Sequence, residues 1–324
     1  MIKNAITKVL TFVLVVLLAG GGLYFYKSSS TDTEIKESDF DRKTLEVDGK
    51  SYFPRQDIAT FLIMGIDKMG VVESSKSYRN DRNADVIMLI VFDQTEKSYS
   101  VLCLNRDTMV EMPVLGVTGE NAGKVTQQLS LSHTYGSGLV DSCENARDAV
   151  SGLLNNVRID NFISMNMDGI QIITDALGGV EVNIVDDFSE IDENLWQGTH
   201  LLNGQQAITF VRSRKDVGNQ LNTNRMERQK EYLSGVEKAF KERVEGKYDL
   251  LKKTYEDLSP YMVSDCSITD FSTLVDSYMN STCKDIIIPD GVYKKGDEFM
   301  EFYIDEEKFQ DLLIDLLYKE KDFN

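Results

Sequence analysis

Arg212, Arg214 and Arg225 fall within one short stretch that also carries Arg228 and Gln229, in a chain whose formal net charge is -18. Guanidinium forks stay charged at physiological pH and grip phosphate oxygens in pairs. Cations gathered this closely in an acidic protein predict a site for an anionic group, and phosphate chemistry is the first expectation. The bland alternative is ion pairing with surface carboxylates, which accounts for one arginine more readily than for three at this spacing.

Carboxylates stand at suggestive places as well. Asp67 directly follows the apolar run 59–66, Asp85 opens the run 85–92, and Arg106-Asp107 follow the run 98–104. If successive strands are antiparallel, these four side chains meet at one end of a sheet. Two carboxylates brought together are costly to bury unless something neutralises them. Mg²⁺ does so while sharing its oxygen ligands with substrate phosphates, and Mn²⁺ accepts the same donors. Taken singly, Asp67 reads equally well as a turn residue after Gly65, and Asp85 as an exposed strand end.

The run 207–214 reads as a strand whose period-two alternation places Ile208, Phe210, Arg212 and Arg214 on one face. That face is apolar and then cationic, which suits a ligand with a greasy tail, held by Ile208 and Phe210, and an anionic head. Downstream, Asn224-x-x-Glu227 has the form of a capping box, with Arg225 in the first helical turn and Gln229 one turn on. A helix N-terminus offers free N–H groups and a positive dipole end to an anion.

The elements that must hold these residues follow from hydrophobic periodicity. Runs 59–66, 85–92 and 98–104 predict core strands, with 93–97 as a hairpin connection. Residues 141–155 and 168–177 predict helices, the second stopped by Gly178-Gly179. Strands are expected over 180–185 and 207–211 and a helix over 226–244. The tail predicts a helix over 268–279, strands over 285–288 and 298–304, and an amphipathic helix over 306–318. The mixture predicts an α/β fold, a central mixed β-sheet flanked by helices, after one N-terminal transmembrane helix.

That N-terminal helix is Val9 to Tyr26, 18 residues without a charge, close to the minimum for spanning a bilayer. Lys3 and Lys8 precede it and acidic residues follow, so residues 1–8 are expected in the cytoplasm and the rest outside. No small-x-small cleavage pattern follows the apolar run, which favours a retained signal-anchor over a cleaved signal peptide. Residues 27–56 read as an extracellular stalk and 57–324 as one folded domain, with a core over 57–235 and a variable part over 236–324. The predicted localisation is the cell membrane, single-pass.

Several functions are disfavoured. Acidity argues against nucleic acid as a partner. His133 and His200 are the only histidines, so a histidine triad or a zinc cluster has few places to form. No nucleophile elbow or P-loop pattern occurs, and 135–138 reads as a turn. Four cysteines in an oxidising compartment allow three pairings that sequence does not rank, and Cys103 reads as a core residue.

These blocks carry a resemblance. Gly65-Ile66-Asp67, Asp85 before its apolar run, Asn105-Arg106-Asp107-Thr108, Met167-Asp168-Gly169, 176–180, 202–207, Arg212-x-Arg214 and 225–229 follow one another as in the LytR-CpsA-Psr family. The resemblance covers about 57–230 and implies a membrane-anchored phosphotransferase on the outer face of the cytoplasmic membrane. Such proteins move a glycopolymer from a polyprenyl pyrophosphate carrier onto peptidoglycan. By resemblance, Asp67 and Asp85 bind metal, and Arg106, Arg212, Arg214, Arg225 and Gln229 contact pyrophosphate. Asp85, Arg106 and Asp107 are the catalytic candidates, Asp107 orienting Arg106 in preference to deprotonating the acceptor. Two departures stand out: Asn83 where many members carry arginine, with Arg82 or Arg79 as substitutes, and Asn222 where many carry an acid. Alternative readings are a non-catalytic lipid pyrophosphate sensor and a pyrophosphatase.

Overall fold

The structure is a computed structural model describing residues 44–116, 118–213, 215–218, 222–243, 248–266, 281–296 and 299–320. The expected transmembrane helix, the 268–279 helix and Arg214 lie outside the described residues, among which no helix is long and apolar enough to cross a membrane. In chain order the strands are β1 (Leu45–Val47), β2 (Lys50–Pro54), β3 (Ile58–Ile66), β4 (Ala84–Asp93), β5 (Ser98–Leu104), β6 (Met109–Leu115), β7 (Asn121–Gln128), β8 (Asn161–Asn166), β9 (Val180–Ile184), β10 (Gly198–Leu202), β11 (Met262–Ser264), β12 (Thr282–Ile287), β13 (Gly291–Lys295), β14 (Met300–Ile304) and β15 (Tyr318–Glu320). The α-helices are α1 (Val140–Leu153), α2 (Asp168–Ala176), α3 (Gly204–Arg212), α4 (Asn222–Arg243), α5 (Tyr248–Leu258) and α6 (Glu306–Leu317).

Six strands form the central mixed sheet in the order β11-β8-β3-β4-β5-β12. β3–β4 and β4–β5 are antiparallel, while β8 runs parallel to β3 and β12 parallel to β5. The central strands read as continuous apolar runs because both faces of the sheet are covered. Leu62, Met64, Ile87, Leu89 and Leu102 bury one way against α1 and α6, through Ala146, Val150 and Leu313. Phe61, Ile90, Phe92, Tyr99 and Val101 bury the other way. A further core joins α2, α3 and α4 with β9 and β10, around Phe188, Phe210 and Val236.

The strand expected over 207–211 is instead part of α3. Asn203 and Gln206 form a capping box, the Asn203 Oδ1 accepting from the Gln206 N–H at 2.9 Å and the Gln206 Oε1 accepting from the Asn203 N–H at 3.1 Å. Ala207, Phe210 and Val211 then share one buried helical face. A short apolar run containing Thr and Val fits either period, and the cap upstream decides. The other capping box, at Asn224, does not start its helix: α4 already begins at Asn222. The end of the expected stalk carries β1 and β2, and β2 also pairs with β15 from the C-terminal end.

Candidate active site

Antiparallel pairing brings the ends of β3 and β5 to the start of β4, with Ile66 opposite Ala84 and Ile87 opposite Leu104. Asp67, Asp85, Arg106 and Asp107 therefore gather at one sheet end, as the strand pattern requires. Between the pairs Gly65–Val86 and Ile66–Ala84 the register shifts, leaving Asp85 as the extra residue of a β-bulge. Bulges re-aim side chains next to functional sites. Gly65 allows the two strands to approach: a Cβ there would come within 3.0 Å of the Val86 Cβ.

Asp85 is bracketed by two arginines. Its Oδ1 accepts from Arg106 Nη1, and its Oδ2 accepts from Arg225 Nη1 at 2.8 Å. All three side chains are largely buried, Arg225 most deeply at 6% exposed. Arg106 Nε also lies 3.5 Å from the Asp107 Oδ1. A second, more open pair stands beside this group, Arg212 Nε to Asp67 Oδ1 at 3.0 Å, with the Arg212 side chain 52% exposed. Positive and negative groups thus alternate, and around Asp85 they do so in a low-dielectric setting, where each charge depends on its neighbours.

An apolar cavity of about 130 Å³ adjoins this cluster. Asp85, Arg212, Arg225 and Gln229 line it together with Ile63, Met88, Ile163, Met165, Tyr232 and Val236. Along β4 the lining passes from Asp85 to Met88, and along α4 from Arg225 and Gln229 to Tyr232, Leu233 and Val236. Both elements run from charged to apolar, so the cavity has a polar mouth and an apolar interior. Tyr232 pairs its hydroxyl with Thr174 Oγ1 at 2.8 Å, and burial pushes its pKa upward, keeping the phenol neutral. Gln229 reaches the mouth with its amide turned to the Val211 carbonyl at 3.4 Å.

Other sequence candidates are placed differently. Ile208 and Phe210 do not line the cavity. As α3 residues they are buried in packing, Phe210 stacking on Phe188 with ring centroids 5.8 Å apart. Arg82 donates to the Gly138 carbonyl at 3.2 Å, and a Cβ at Gly138 would come within 2.4 Å of its Nη1, so that glycine makes room for the arginine. Arg79 lies over the Tyr135 ring at 4.2 Å. Asn83 contributes its carbonyl to the Asp67 N–H at 2.9 Å. Arg228 is structural: it bonds Asp186 at 2.6 Å and the Phe210 and Ser213 carbonyls, closing the C-terminal end of α3. Cys103 and Cys143 are buried, and burial pushes both thiols up to about 12, which makes them inert.

His133, one of the two histidines, supports the site from behind. Its Nδ1 meets the Arg82 carbonyl at 2.9 Å, and burial holds its pKa down at about 4. Asn80 beside it bonds the His133 and Gly136 carbonyls at 3.0 and 2.9 Å. These bonds anchor the segment that leads into Asp85. Their signal in the sequence is only polar residues outside any periodic run.

The residues at the sheet end fit a hard divalent cation. Two carboxylates stand on adjacent strand ends, and the buried Asp67 Oδ1 has no hydrogen-bond donor despite its ion-pair contact. Mg²⁺ is held by one or two carboxylates with phosphate oxygens completing its shell. Among the described residues no cluster of three or more His, Cys, Asp or Glu forms a closed metal site.

Fold and site together define an α/β domain in which an apolar cavity opens onto alternating guanidinium and carboxylate groups. The sequence model of the LytR_cpsA_psr family matches residues 22–306, and the chain belongs to that family. It is 27% identical over 312 residues to the polyisoprenyl-teichoic acid–peptidoglycan teichoic acid transferase TagU of Bacillus anthracis, covering 93% of this chain and 92% of the relative. Against TagU of Bacillus subtilis it is 27% identical over 241 residues, 72% of this chain and 69% of the relative. Among solved structures, TagT bound to LIIa-WTA superposes with a TM-score of 0.59 at 21% identity, covering 89% of this chain and 95% of that one. B. subtilis TagT superposes at 0.56, with 22% identity over 81% of this chain and 90% of that one. These structures share the central mixed sheet and flanking helices.

Proposed function

We propose that this protein is a membrane-anchored extracellular phosphotransferase that moves a glycopolymer from a polyprenyl pyrophosphate carrier to peptidoglycan. The observation that carries the reading is the apolar cavity whose mouth is lined by Asp85, Arg212, Arg225 and Gln229. A prenyl tail matches the interior and a pyrophosphate the mouth. Family membership and the names of the TagU relatives support the same reaction class. The uncharged run 9–26 supports anchoring, with the domain outside.

In this reading the acceptor hydroxyl oxygen attacks the glycan-side phosphorus as the P–O bond to the lipid-side phosphate breaks, and the hydroxyl proton passes to solvent. Polyprenyl phosphate leaves with the bonding electrons. Arg106, Arg212 and Arg225 grip the phosphate oxygens and neutralise the charge that develops as the leaving group departs. Asp107, held against Arg106, orients it. Asp67 and Asp85 would hold Mg²⁺, which supplies further charge neutralisation on the pyrophosphate when bound. Arg214, which lies outside the described residues, would contact the pyrophosphate by the family resemblance alone.

The test incubates the full chain in detergent with a polyprenyl pyrophosphate-linked glycan, Mg²⁺ and peptidoglycan fragments, following lipid product and polymer attachment by mass spectrometry. Attachment that falls about 10²–10³-fold in Arg106→Ala with unchanged folding is the expected result. Cleavage without attachment would make the chain a pyrophosphatase, and binding without cleavage a sensor.

A further inference from the structure

Arg106, one of the two arginines that contact Asp85, is held from behind by elements far away in sequence. Three successive carbonyls of its loop are each fixed by a backbone donor: Arg106 by Ser130 at 2.9 Å, Asp107 by Phe302 at 2.9 Å and Thr108 by Leu129 at 2.8 Å. Side chains complete the frame. Asn105 Oδ1 accepts from the Asp107 N–H at 3.0 Å, while its Nδ2 donates to the Tyr293 hydroxyl at 2.8 Å. Gln128 Nε2 donates both to Asp107 Oδ1 at 3.2 Å and to the Met300 carbonyl at 2.8 Å. Asp107 Oδ1 in turn faces Arg106 Nε.

Tyr293 and Met300 belong to the β13–β14 hairpin, a two-stranded sheet separate from the central one. Its junction with the loop is this set of bonds and the Thr108–Phe302 bridge, with the Tyr293 ring set edge-on against Phe302 at 5.1 Å. Asn105, Asp107 and Gln128 are all buried. A buried polar chain is costly unless its members are satisfied together, and when satisfied it selects one orientation of each member. Neither Tyr293 nor Gln128 lines the cavity.

We propose that Gln128 and Tyr293 are positioning residues for Arg106, so that the C-terminal hairpin aims a phosphate ligand of the site. The inference rests on the reading of Arg106 as a pyrophosphate contact. Gln128 sets the carboxylate that orients the guanidinium, and Tyr293 sets the Asn105 turn from which Arg106 projects. The prenyl end of the ligand lies outside this frame.

The experiment measures the affinity of the full chain in detergent for geranylgeranyl pyrophosphate and for geranylgeraniol, by calorimetry with Mg²⁺. Tyr293→Phe and Gln128→Ala should each weaken the pyrophosphate about 10-fold, the size of a misaimed charge-assisted bond, and leave the alcohol unchanged. In an Arg106→Lys background the same changes should add less than about 2-fold, because coupled residues are not additive. Equal losses for alcohol and pyrophosphate would overturn the proposal as a general packing defect. So would penalties that multiply with Arg106→Lys, or wild-type affinity in both variants. Failure of the wild-type chain to bind the pyrophosphate would refute the site reading and this inference with it. Binding without transfer would refute only the proposed reaction.

Discussion

Replacing Asp85 by Asn tests the electrostatic logic of the site most directly. The side chain keeps its shape, so the change removes the charge and turns one of the two acceptor oxygens into a donor that faces an arginine. Asp85 is 9% exposed and its two oxygens receive Arg106 and Arg225, which are 14% and 6% exposed. Breaking a buried ion pair from one side costs about 3–5 kcal/mol, because the remaining charges stay desolvated. Arg106 keeps Asp107 at 3.5 Å, which shelters one of the two cations and argues for the lower end, about 3 kcal/mol. For a domain of this size that corresponds to a melting temperature lower by roughly 6 °C. An anion placed between the arginines should reverse the loss. Pyrophosphate at about 100 times its Kd contributes about 2.7 kcal/mol by mass action. It should raise the midpoint of Asp85→Asn more than that of the wild type, where it must displace Asp85 from both guanidinium groups. The assay is thermal unfolding of the full chain in magnesium-free, phosphate-free buffer with and without pyrophosphate. An unchanged or higher midpoint for Asp85→Asn, or equal responses of the two proteins to pyrophosphate, would refute the reasoning.

Two further outcomes are expected. Phe210→Ala should destabilise by about 3–5 kcal/mol, read by chemical denaturation, because Phe210 is fully buried against Phe188; its folded fraction should bind prenyl pyrophosphate as the wild type does, since Phe210 does not line the cavity. His133 is held neutral with a pKa near 4, below its ordinary 6.5, so the unfolded chain binds the extra proton first as pH falls. Stability should therefore decline from about pH 6.5 to pH 4 by roughly 3 kcal/mol, and a His133→Gln chain should show a flatter profile in pH-dependent melting.

Much of the architecture was legible in the chain. The runs that became β3, β4 and β5 are long and apolar, and the short 94–97 connection makes the antiparallel pairing of β4 with β5 follow from local pattern. β3 and β4 are joined by the long segment 67–83, and their antiparallel pairing, on which the meeting of Asp67 with Asp85 and Arg106 depends, is a condition that the structure meets. The α1, α2 and α6 helices carry apolar residues at helical spacing with clear stops. Residues 207–211 misled because five residues do not separate a period of 2 from one of 3.6, and the deciding Asn203–Gln206 cap lies upstream. The β6–β7 hairpin was missed because its outer strand, 121–128, is polar and largely exposed.

What the sequence determined is the set of charges and their places at the ends of hydrophobic runs, because long apolar runs become core strands and the short 94–97 turn pairs β4 with β5. What only the tertiary structure decided is how those charges are aimed. The bulge at Asp85 depends on the register between two strands, and the apolar cavity depends on where α4 crosses the sheet. The frame behind Arg106 joins Asn105, Gln128 and Tyr293, residues separated by up to 188 positions. Hydrogen bonds between such distant residues leave no periodic trace along the chain, because their geometry exists only once both elements are packed.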